Sequence, residues 1–315
     1  MAHLAFVFPG QGSQAVGMMN AMADGFALVR QRFASASEVL GFDLWDLVSN
    51  GPEDALNSTR NTQPALLAAS VATWDAWLDC GGPRPAWMAG HSFGEYTALV
   101  CAGALDYAAA VALVADRGRY MQEAVPQGEG AMAAILGLDA DAVAAACVAA
   151  AADGGTCSAA NLNAPGQIVI AGSRDAVARA CELAAARGAK RAMTLPVSVP
   201  AHCALMQPAA TRLAERLAGI EFGAPDTSIV HNVDLGTHDE ADAIRAALVS
   251  QLHSPVRWIE TIERFAAAGV TQVCECGPGK VLAALIKRID RGIACTSLGD
   301  PDSLRATARE LAGEG

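Results

Sequence analysis

The 315-residue sequence is poor in charged residues, and especially in basic ones. Charged residues make up 17% of the chain, and 22 basic residues against 33 acidic ones leave a formal net charge of −11. This balance argues against a nucleic-acid partner, because binding to phosphates depends on a basic surface. An anionic ligand would have to meet a local cluster of cations, although solvated helix ends are the more ordinary interpretation of such clusters. The candidates are Lys190 with Arg191, and Lys280, Lys287, Arg288 and Arg291.

The sequence also lacks a long apolar segment and the cysteine pattern of a secreted protein. No run of about 18 strongly apolar residues is present, and residues 1–8 lead straight into Pro9 without a signal-peptide pattern. The nine cysteines are scattered and odd in number, which argues against a disulfide framework. Cys274 and Cys276 are too isolated to form a four-ligand zinc site. We therefore expect a cytoplasmic protein without a membrane segment or a structural metal.

Apolar residues are abundant, and they occur in α/β order. They make up 52% of the chain, which can support an extensive core in one large or two modest domains. An apolar strand, "HLAFVF", leads into a glycine-rich loop, and helical spacing follows at 63–78, opened by Pro64, and at 108–122. Further strands are predicted near 229–233 and 270–276, and further helices near 241–251, 259–268 and 280–290. This alternation predicts a main domain of the α/β class.

The middle of the chain has a different order of elements. Its spacing predicts strand, helix, strand, strand, helix and strand at 131–136, 140–152, 156–161, 167–172, 174–187 and 191–197. This βαββαβ order is typical of ferredoxin-like domains. Proline and glycine at 125–128 and 195–196 punctuate both of its edges, so we predict that the unit is inserted into the main domain.

A candidate nucleophile lies in Gly90-His91-Ser92-Phe93-Gly94, which matches the G-x-S-x-G pattern. An apolar run at 85–89 precedes the motif, and Tyr96 and Leu99 follow it at helical spacing. In that order, a strand turns sharply into a helix and leaves the serine hydroxyl exposed. An ordinary strand-to-helix turn is the alternative, because such short patterns also occur by chance.

A nucleophilic serine needs a base, and His202 is the best candidate among the six histidines. His202 follows the inserted unit at an element edge beside the expected cleft, where site residues collect. The alternative is a histidine that merely starts a helix. His91 adjoins Ser92, but successive side chains at a sharp turn point apart, so we expect it to support the turn. Cys203 is a weaker rival nucleophile because no comparable turn surrounds it.

The remaining histidines and acids carry weaker signals. A surface or capping role suffices for His231, His238 and His253 near predicted element ends, and His3 lies in the first strand. The aspartates at 175, 226 and 234 follow Ser92 in the chain, but none lies at a recognisable strand end. We therefore expect a neutral acceptor to orient the base, which makes a lipase-like triad a poor match.

The loop from Gly10 to Ala15 has two interpretations. Gln11 lies between glycines that permit close approach of the backbone, so its N–H and that of Phe93 could stabilise an oxyanion. The loop also fits the G-x-G-x-x-A pattern of dinucleotide-binding proteins. No second strand ending in Asp or Glu follows in the next 20 to 25 or so residues, which argues against a nicotinamide cofactor.

Arg117 lies on the predicted inner face of the 108–122 helix, whereas Arg119 lies on its outer face. A buried guanidinium is costly unless it meets a carboxylate. A pair within the protein is the usual case, and a substrate acid is the alternative.

These segments, in this order, resemble malonyl-CoA:acyl carrier protein transacylases over almost the whole chain. The resemblance rests on Pro9-Gly10-Gln11-Gly12-Ser13-Gln14, Gly90-His91-Ser92-Phe93-Gly94-Glu95, Arg117, "AANLNAPGQIVIAG", "VSVPAHCALM", "QLHSPVRW" and "ECGPGKVL". It implies an α/β-hydrolase-like main domain with a parallel sheet at 1–126 and 197–315. It also implies an inserted ferredoxin-like (βαββαβ) subdomain at 127–196 and an active site in the groove between the two.

The resemblance also implies a ping-pong reaction. Ser92 would take the malonyl group from malonyl-CoA as an ester, and the phosphopantetheine thiol of acyl carrier protein would then remove it to supply fatty-acid synthesis. His202 would be general base and acid, held by the backbone carbonyl of Gln251. Arg117 would pair with the free malonyl carboxylate.

The remaining implications concern the oxyanion and the setting of the reaction. Gln11 and Phe93 would supply the oxyanion donors, and no cofactor is required beyond the coenzyme A thioester that is the substrate. A monomer is expected. The chain departs from the commonest pattern at Phe93, where leucine is frequent, and at Ala201, where serine is frequent. Alternatives are an acyltransferase of a polyketide or malonate decarboxylase system, a serine hydrolase, and a silent binding module of the same fold.

Overall fold

The computed structural model describes residues 3–197 and 199–313. Its strands are β1 (Leu4–Phe8), β2 (Trp87–Gly90), β3 (Gly130–Leu136), β4 (Cys157–Ala164), β5 (Gln167–Ser173), β6 (Arg191–Thr194), β7 (Ser228–Ile229), β8 (Gln272–Glu275) and β9 (Ala294–Ser297). Its helices are α1 (Asn20–Gly25), α2 (Ala27–Leu40), α3 (Leu44–Asn50), α4 (Glu53–Leu56), α5 (Thr59–Asp79), α6 (Gly94–Cys101), α7 (Tyr107–Ala124), α8 (Ala140–Ala152), α9 (Arg174–Ala186), α10 (Gln207–Leu217), α11 (Ala241–Gln251), α12 (Trp258–Ala267), α13 (Val281–Ile289) and α14 (Pro301–Ala312). Residues 1, 2, 198, 314 and 315 of the predicted main domain lie outside the described residues.

The larger sheet contains five parallel strands in the order β7-β2-β1-β8-β9. Strand β1 is buried along its whole length, as expected of a central parallel strand whose two faces are both covered. Phe6 and Phe8 belong to the core shared with α5, α6 and α7, whereas Ala5 and Val7 face the core under α12 and α13. The predicted α/β main domain with a parallel sheet is confirmed.

The smaller sheet is antiparallel, with the order β4-β5-β3-β6. Helices α8 and α9 pack over it with a core of their own. The chain order β3-α8-β4-β5-α9-β6 is the predicted βαββαβ arrangement of a ferredoxin-like unit. The exact domain limits at 126/127 and 196/197 stay a prediction.

Backbone hydrogen bonds tie the smaller sheet to the main domain. The Val256 N–H donates to Ala160 O at 2.9 Å, and the Leu162 N–H donates to Val256 O at 2.9 Å. The Arg288 side chain adds contacts to Gln167 and Pro165. These bonds fix both walls of the groove that lies between the two sheets.

Several predicted boundaries are wrong. Strand β4 ends at Ala164 rather than at residue 161, and strand β6 ends at Thr194 rather than at residue 197. Helix α5 begins at Thr59 rather than at residue 63, so that Pro64 lies inside the helix instead of opening it. A proline inside a helix costs about 3 kcal/mol, and burial of 16 of the 21 residues in α5 offsets that cost. Strand β7 ends at Ile229 rather than near residue 233, because the Asn232 N–H beyond it donates to the Glu95 side chain and not to a neighbouring strand.

No helix within the described residues is long and apolar enough to cross a membrane.

Candidate active site

The chain turns sharply from β2 into α6 at Ser92. Ser92 has φ +54°, in the left-handed region that costs a residue with a side chain of order 1–3 kcal/mol. The neighbouring glycines make this turn possible: a Cβ at Gly90 would lie 1.8 Å from Gly94 C, and a Cβ at Gly94 would lie 2.4 Å from Phe8 O. The G-x-S-x-G pattern therefore reflects a steric requirement here.

The Ser92 Oγ lies 2.7 Å from His202 Nε2, as a nucleophile and its base require. The other ring nitrogen, Nδ1, lies 2.8 Å from the backbone carbonyl of Gln251. Because a carbonyl oxygen only accepts, Nδ1 carries the proton and Nε2 is free to accept the Ser92 hydroxyl proton. The structure thus places a neutral acceptor where a hydrolase triad has an acid.

His202 is held in its neutral form. Burial, and next the positive charge of Arg117, lower the pKa of His202 from 6.5 to about 3. His202 is 3% exposed and has a left-handed backbone with φ +61°. At neutral pH this imidazole is a base ready to take a proton.

Arg117 is fully buried beside the candidate nucleophile. Its Nη2 lies 3.5 Å from Ser92 Oγ and donates to Gln251 Oε1 at 3.1 Å. Its Nη1 donates to Gln63 Oε1 at 2.9 Å and contacts Met121 Sδ at 3.2 Å. Within the described residues Arg117 forms no ion pair, and its Nε has no hydrogen-bond partner. The pair within the protein that is usual for a buried guanidinium is missing here.

The side chain of Gln251 connects these groups, a role that the sequence did not indicate. Its Nε2 donates to the Ser92 carbonyl oxygen at 2.9 Å, while its Oε1 accepts from Arg117. One residue therefore orients His202 through its backbone and contacts both Ser92 and Arg117 through its side chain.

Gln11 and Phe93 lie where β1 and β2 end. The loop after β1 touches the turn closely, since a Cβ at Gly10 would lie 2.8 Å from His91 O. In the described part of the chain, the backbone N–H groups of Gln11 and Phe93 have no hydrogen-bond partner. Both are therefore available as donors to an oxyanion.

Two other histidines have clear positions. The His91 Nε2 lies 2.8 Å from Asn163 Oδ1, and His91 lines the groove beside Ser92. Its role in supporting the turn stays a prediction. His231 is fully buried with its Nδ1 3.1 Å from Glu95 Oε2. The surface or capping role expected for His231 is wrong, because β7 ends early and this residue turns into the core.

The rival nucleophile, Cys203, is buried, and its Sγ lies 3.2 Å from Pro200 O. Burial raises the pKa of its thiol to about 11, so the reactive thiolate is scarce. Within residues 3–197 and 199–313, no group of three or more His, Cys, Asp or Glu side chains could hold a metal ion.

A groove of about 430 Å³ leads to Ser92 and His202 from the space between the sheets. Its walls are mixed in character. Polar side chains come from β4, β5 and the loop after β1, and apolar ones from α13 and the segment after β6. They include Gln11, Asn161, Asn163, Gln167, Leu195, Val197, Val281 and Leu285. A groove with apolar walls and a few polar groups can hold a small-molecule ligand with its reactive end at Ser92.

Sequence reasoning missed several polar residues at the site, namely Gln63, Glu95, Asn161, Asn163 and Asn232. Asn161 and Asn163 lie in "AANLNAPG", which contributed to the resemblance without a role. Asn232 lies three residues after the end of strand β7, and polar residues just beyond the carboxyl end of a parallel strand are a usable signal. Gln63 and Glu95 carry no such signal, because each lies within a helix that reads as apolar core.

The sequence model of the family described as "Acyl transferase domain" matches residues 5–306. The malonyl CoA-acyl carrier protein transacylase of Escherichia coli (strain K12) is 55% identical over 311 residues, which cover 99% of this chain and all of that enzyme. The structure of the malonyl CoA-acyl carrier protein transacylase of Coxiella burnetii has a TM-score of 0.97 at 50% identity, with 98% of both chains covered. A malonyl-transacylase solved in complex with a type II PKS acyl-carrier protein has a TM-score of 0.96 at 54% identity, with 98% of this chain and 99% of that chain covered.

Proposed function

Because the chain belongs to the malonyl-CoA:acyl carrier protein transacylase family, we propose that it moves a malonyl group from malonyl-CoA to the phosphopantetheine thiol of acyl carrier protein. The transfer supplies fatty-acid synthesis. One observation supports this proposal above the others: Arg117, 3.5 Å from Ser92 Oγ, is a buried cation without a carboxylate partner among the described residues. Malonyl has the free carboxylate that acetyl lacks, so a site built around this cation discriminates between them.

The first half-reaction forms an ester. Ser92 Oγ attacks the thioester carbonyl carbon of malonyl-CoA while His202 Nε2 takes the hydroxyl proton. The free N–H groups of Gln11 and Phe93 donate hydrogen bonds to the carbonyl oxygen and stabilise the negative charge that develops on it. The carbon–sulfur bond then breaks, and the coenzyme A sulfur leaves with the proton from His202.

The second half-reaction reverses these roles with a new thiol. The phosphopantetheine thiol gives its proton to His202, and its sulfur attacks the ester carbonyl. The bond from that carbon to Ser92 Oγ breaks, and Ser92 regains a proton from His202. Exclusion of water from the groove by the bound substrate would protect the ester from hydrolysis.

The chemistry of both steps needs only side chains and thioesters, so we propose no cofactor beyond the coenzyme A substrate. The nine cysteines are free thiols, which supports the reducing cytoplasm as the compartment. We propose a monomer, for which size-exclusion chromatography with light scattering is the direct test.

Transfer of radiolabelled malonyl from coenzyme A to holo acyl carrier protein tests the proposal. We expect the native enzyme and Cys203→Ala to transfer label, and Ser92→Ala to transfer none. Release of malonate into water at the same rate with and without carrier protein would instead indicate a serine hydrolase. If the native enzyme neither transfers label nor retains it, the chain would be a binding module of the same fold without catalytic activity.

A polyketide role is the second candidate, and the complex of a 54% identical relative with a type II PKS acyl-carrier protein favours it. The chemistry at Ser92 would be the same. Parallel assays with a fatty-acid and a polyketide carrier protein separate the two roles, since the physiological acceptor should have the larger kcat/KM. A preference for the polyketide acceptor would replace fatty-acid synthesis in the proposal.

A further inference from the structure

One buried amide side chain holds both ends of the turn that carries the nucleophile. The Ser92 N–H donates to Asn232 Oδ1 at 2.8 Å, and Asn232 Nδ2 donates to Gly90 O at 2.8 Å. Asn232 is fully buried and is not part of the groove lining. It forms no hydrogen bond to Ser92 Oγ or His202, so it is not placed to take part in the chemistry.

The topology of the larger sheet brings Asn232 to this position. Strand β7 runs parallel to β2, and the Val230 N–H donates to Met88 O at 2.9 Å just before the chain leaves the sheet. The backbone of Asn232 is then held from two sides. Its N–H donates to Glu95, and its carbonyl oxygen accepts from the Arg257 N–H at 3.3 Å.

Glu95 and His231 form the next layer behind the turn. Glu95 lies in the first turn of α6, the helix that Ser92 leads into, and its two oxygens contact the Asn232 N–H and His231 Nδ1. Both side chains are fully buried. Burial lowers the pKa of His231, but the hydrogen bond and charge of Glu95, with Asp234, outweigh it and leave that pKa above its ordinary value.

Ser92 needs such support because its φ of +54° is a conformation that residues with a side chain rarely adopt. Relaxation to a negative φ would carry Oγ away from His202 Nε2, which is 2.7 Å away. We propose that Asn232 is a positioning residue: it holds Ser92 in the left-handed conformation so that the hydroxyl stays on His202, and Glu95 with His231 holds Asn232 in turn. This inference rests on the proposed function, since its readout is acylation of Ser92 by malonyl-CoA.

The first test measures single-turnover acylation of Asn232→Ala by malonyl-CoA. A displacement of the reacting atom by about 1 Å lowers a rate on the order of 100-fold, and we expect a loss of that size. The affinity for malonyl-CoA, measured in a Ser92→Ala background with and without Asn232→Ala, should change by no more than about twofold, because Asn232 does not line the groove. Thr73→Val is the matched control, since it removes one buried side-chain hydrogen bond in α5 away from the site.

The second test uses Asn232→Asp, which keeps the size of the side chain. A protonated carboxyl offers one acceptor and one donor, as the amide does, whereas an ionised carboxylate loses the donor to Gly90 O and faces Glu95. His231 is the other titratable group in this layer. We expect acylation by this variant to fall as the pH rises from 5.5 to 8.5, in conditions where native acylation stays level and circular dichroism shows the variant to be folded.

The outcomes separate the two proposals. Native enzyme that takes no label from malonyl-CoA contradicts the proposed function itself. With native acylation intact, an Asn232→Ala rate near that of Thr73→Val contradicts the positioning role. Equal losses of affinity and rate in Asn232→Ala, or a level and native-like pH profile for Asn232→Asp, would also contradict the positioning role. Failure of both variants to fold would contradict it as well, because Asn232 would then be needed for the fold alone.

Discussion

Arg117 is a positive charge that solvent does not reach, 3.5 Å from the hydroxyl of Ser92. Its neighbours are the neutral oxygens of Gln63 and Gln251 and the sulfur of Met121. Guanidinium stays charged even though burial lowers the pKa of Arg117. A carboxylate that enters the groove therefore meets a cation whose position is already fixed.

Arg117→Ala should lower the rate of Ser92 acylation by malonyl-CoA about 100-fold, because a charge-assisted contact of up to about 3 kcal/mol is lost. Acylation by acetyl-CoA should change little, since acetyl has no carboxylate to pair. Arg119→Ala, on the outer face of the same helix and paired with Asp116, should resemble the native enzyme. Equal losses with both thioesters in Arg117→Ala would contradict the assigned role.

The pH dependence of acylation reports on His202. Its pKa of about 3, against 6.5 for an exposed histidine, keeps Nε2 unprotonated throughout the neutral range. Since the basic form is present above the folded pKa, single-turnover acylation should stay level from pH 8 down to about 5. A half-maximal rate near pH 6.5 would show that the imidazole titrates as an exposed group.

Some residues of the site could be predicted from sequence and others could not. The flanking glycines of the G-x-S-x-G motif indicate Ser92 from the local sequence. The position of His202 just after the inserted unit is a weaker signal. The sequence left the partner of Arg117 open, because pairing depends on which side chains the fold brings near. Asn232 and Glu95 lie 137 positions apart in the chain and meet only once β7 lies beside β2.

At the scale of elements, the junction of β2 and α6 has no room for larger side chains. A Cβ at Gly90 would lie 1.8 Å from a backbone carbon of Gly94, and that neighbour cannot move without shifting the nucleophile. Neither glycine can move to make room, because pairing with β1 fixes Gly90 and the start of α6 fixes Gly94.

Gly90→Ala should therefore lower the free energy of unfolding by about 3 kcal/mol or more, at the upper end of overpacking effects. Gly219→Ala is the matched control, because its nearest neighbour would be 3.8 Å from the new Cβ. Urea denaturation followed by circular dichroism measures both. Equal stability of the two variants would contradict the steric account of the junction.

Elements could be predicted where periodicity is strong and local. Helix α8, at Ala140–Ala152, and helix α11, at Ala241–Gln251, have the predicted limits. The predicted limits of α5 and β7 are wrong because of tertiary contacts. Burial lets α5 begin at Thr59, before Pro64, and the contact of Asn232 with Glu95 ends β7 early.

At the scale of the whole molecule, a chain with a net charge of −11 carries two clusters of basic residues. In the first cluster, Lys190 lies beside Gly137, whose N–H donates to Gly166 O. In the second cluster, the Arg288 side chain donates to the carbonyl oxygen of Pro165, which precedes Gly166. Arg288 also contacts Gln167, which lines the groove. One residue of each cluster, Lys190 and Arg288, therefore lies near the groove, and we expect an acidic surface of the carrier protein to dock there.

Charge reversal at Lys190, Arg191, Lys287 and Arg291, each to Glu, should raise the KM for acyl carrier protein about tenfold, with a weaker effect at high salt. Acylation by malonyl-CoA in the absence of carrier protein should change less. Arg309→Glu, on the exposed side of α14, is the control. Unchanged carrier-protein kinetics would remove this docking surface from the account.

The most direct test of the account is peptide mass spectrometry of the acyl-enzyme trapped after brief exposure to malonyl-CoA. We predict one malonyl adduct, on the peptide that contains Ser92, stable in buffer and removed within the mixing time by holo acyl carrier protein. An adduct on another residue, or one that persists in Ser92→Ala, would contradict the assignment of the nucleophile and the mechanism built on it.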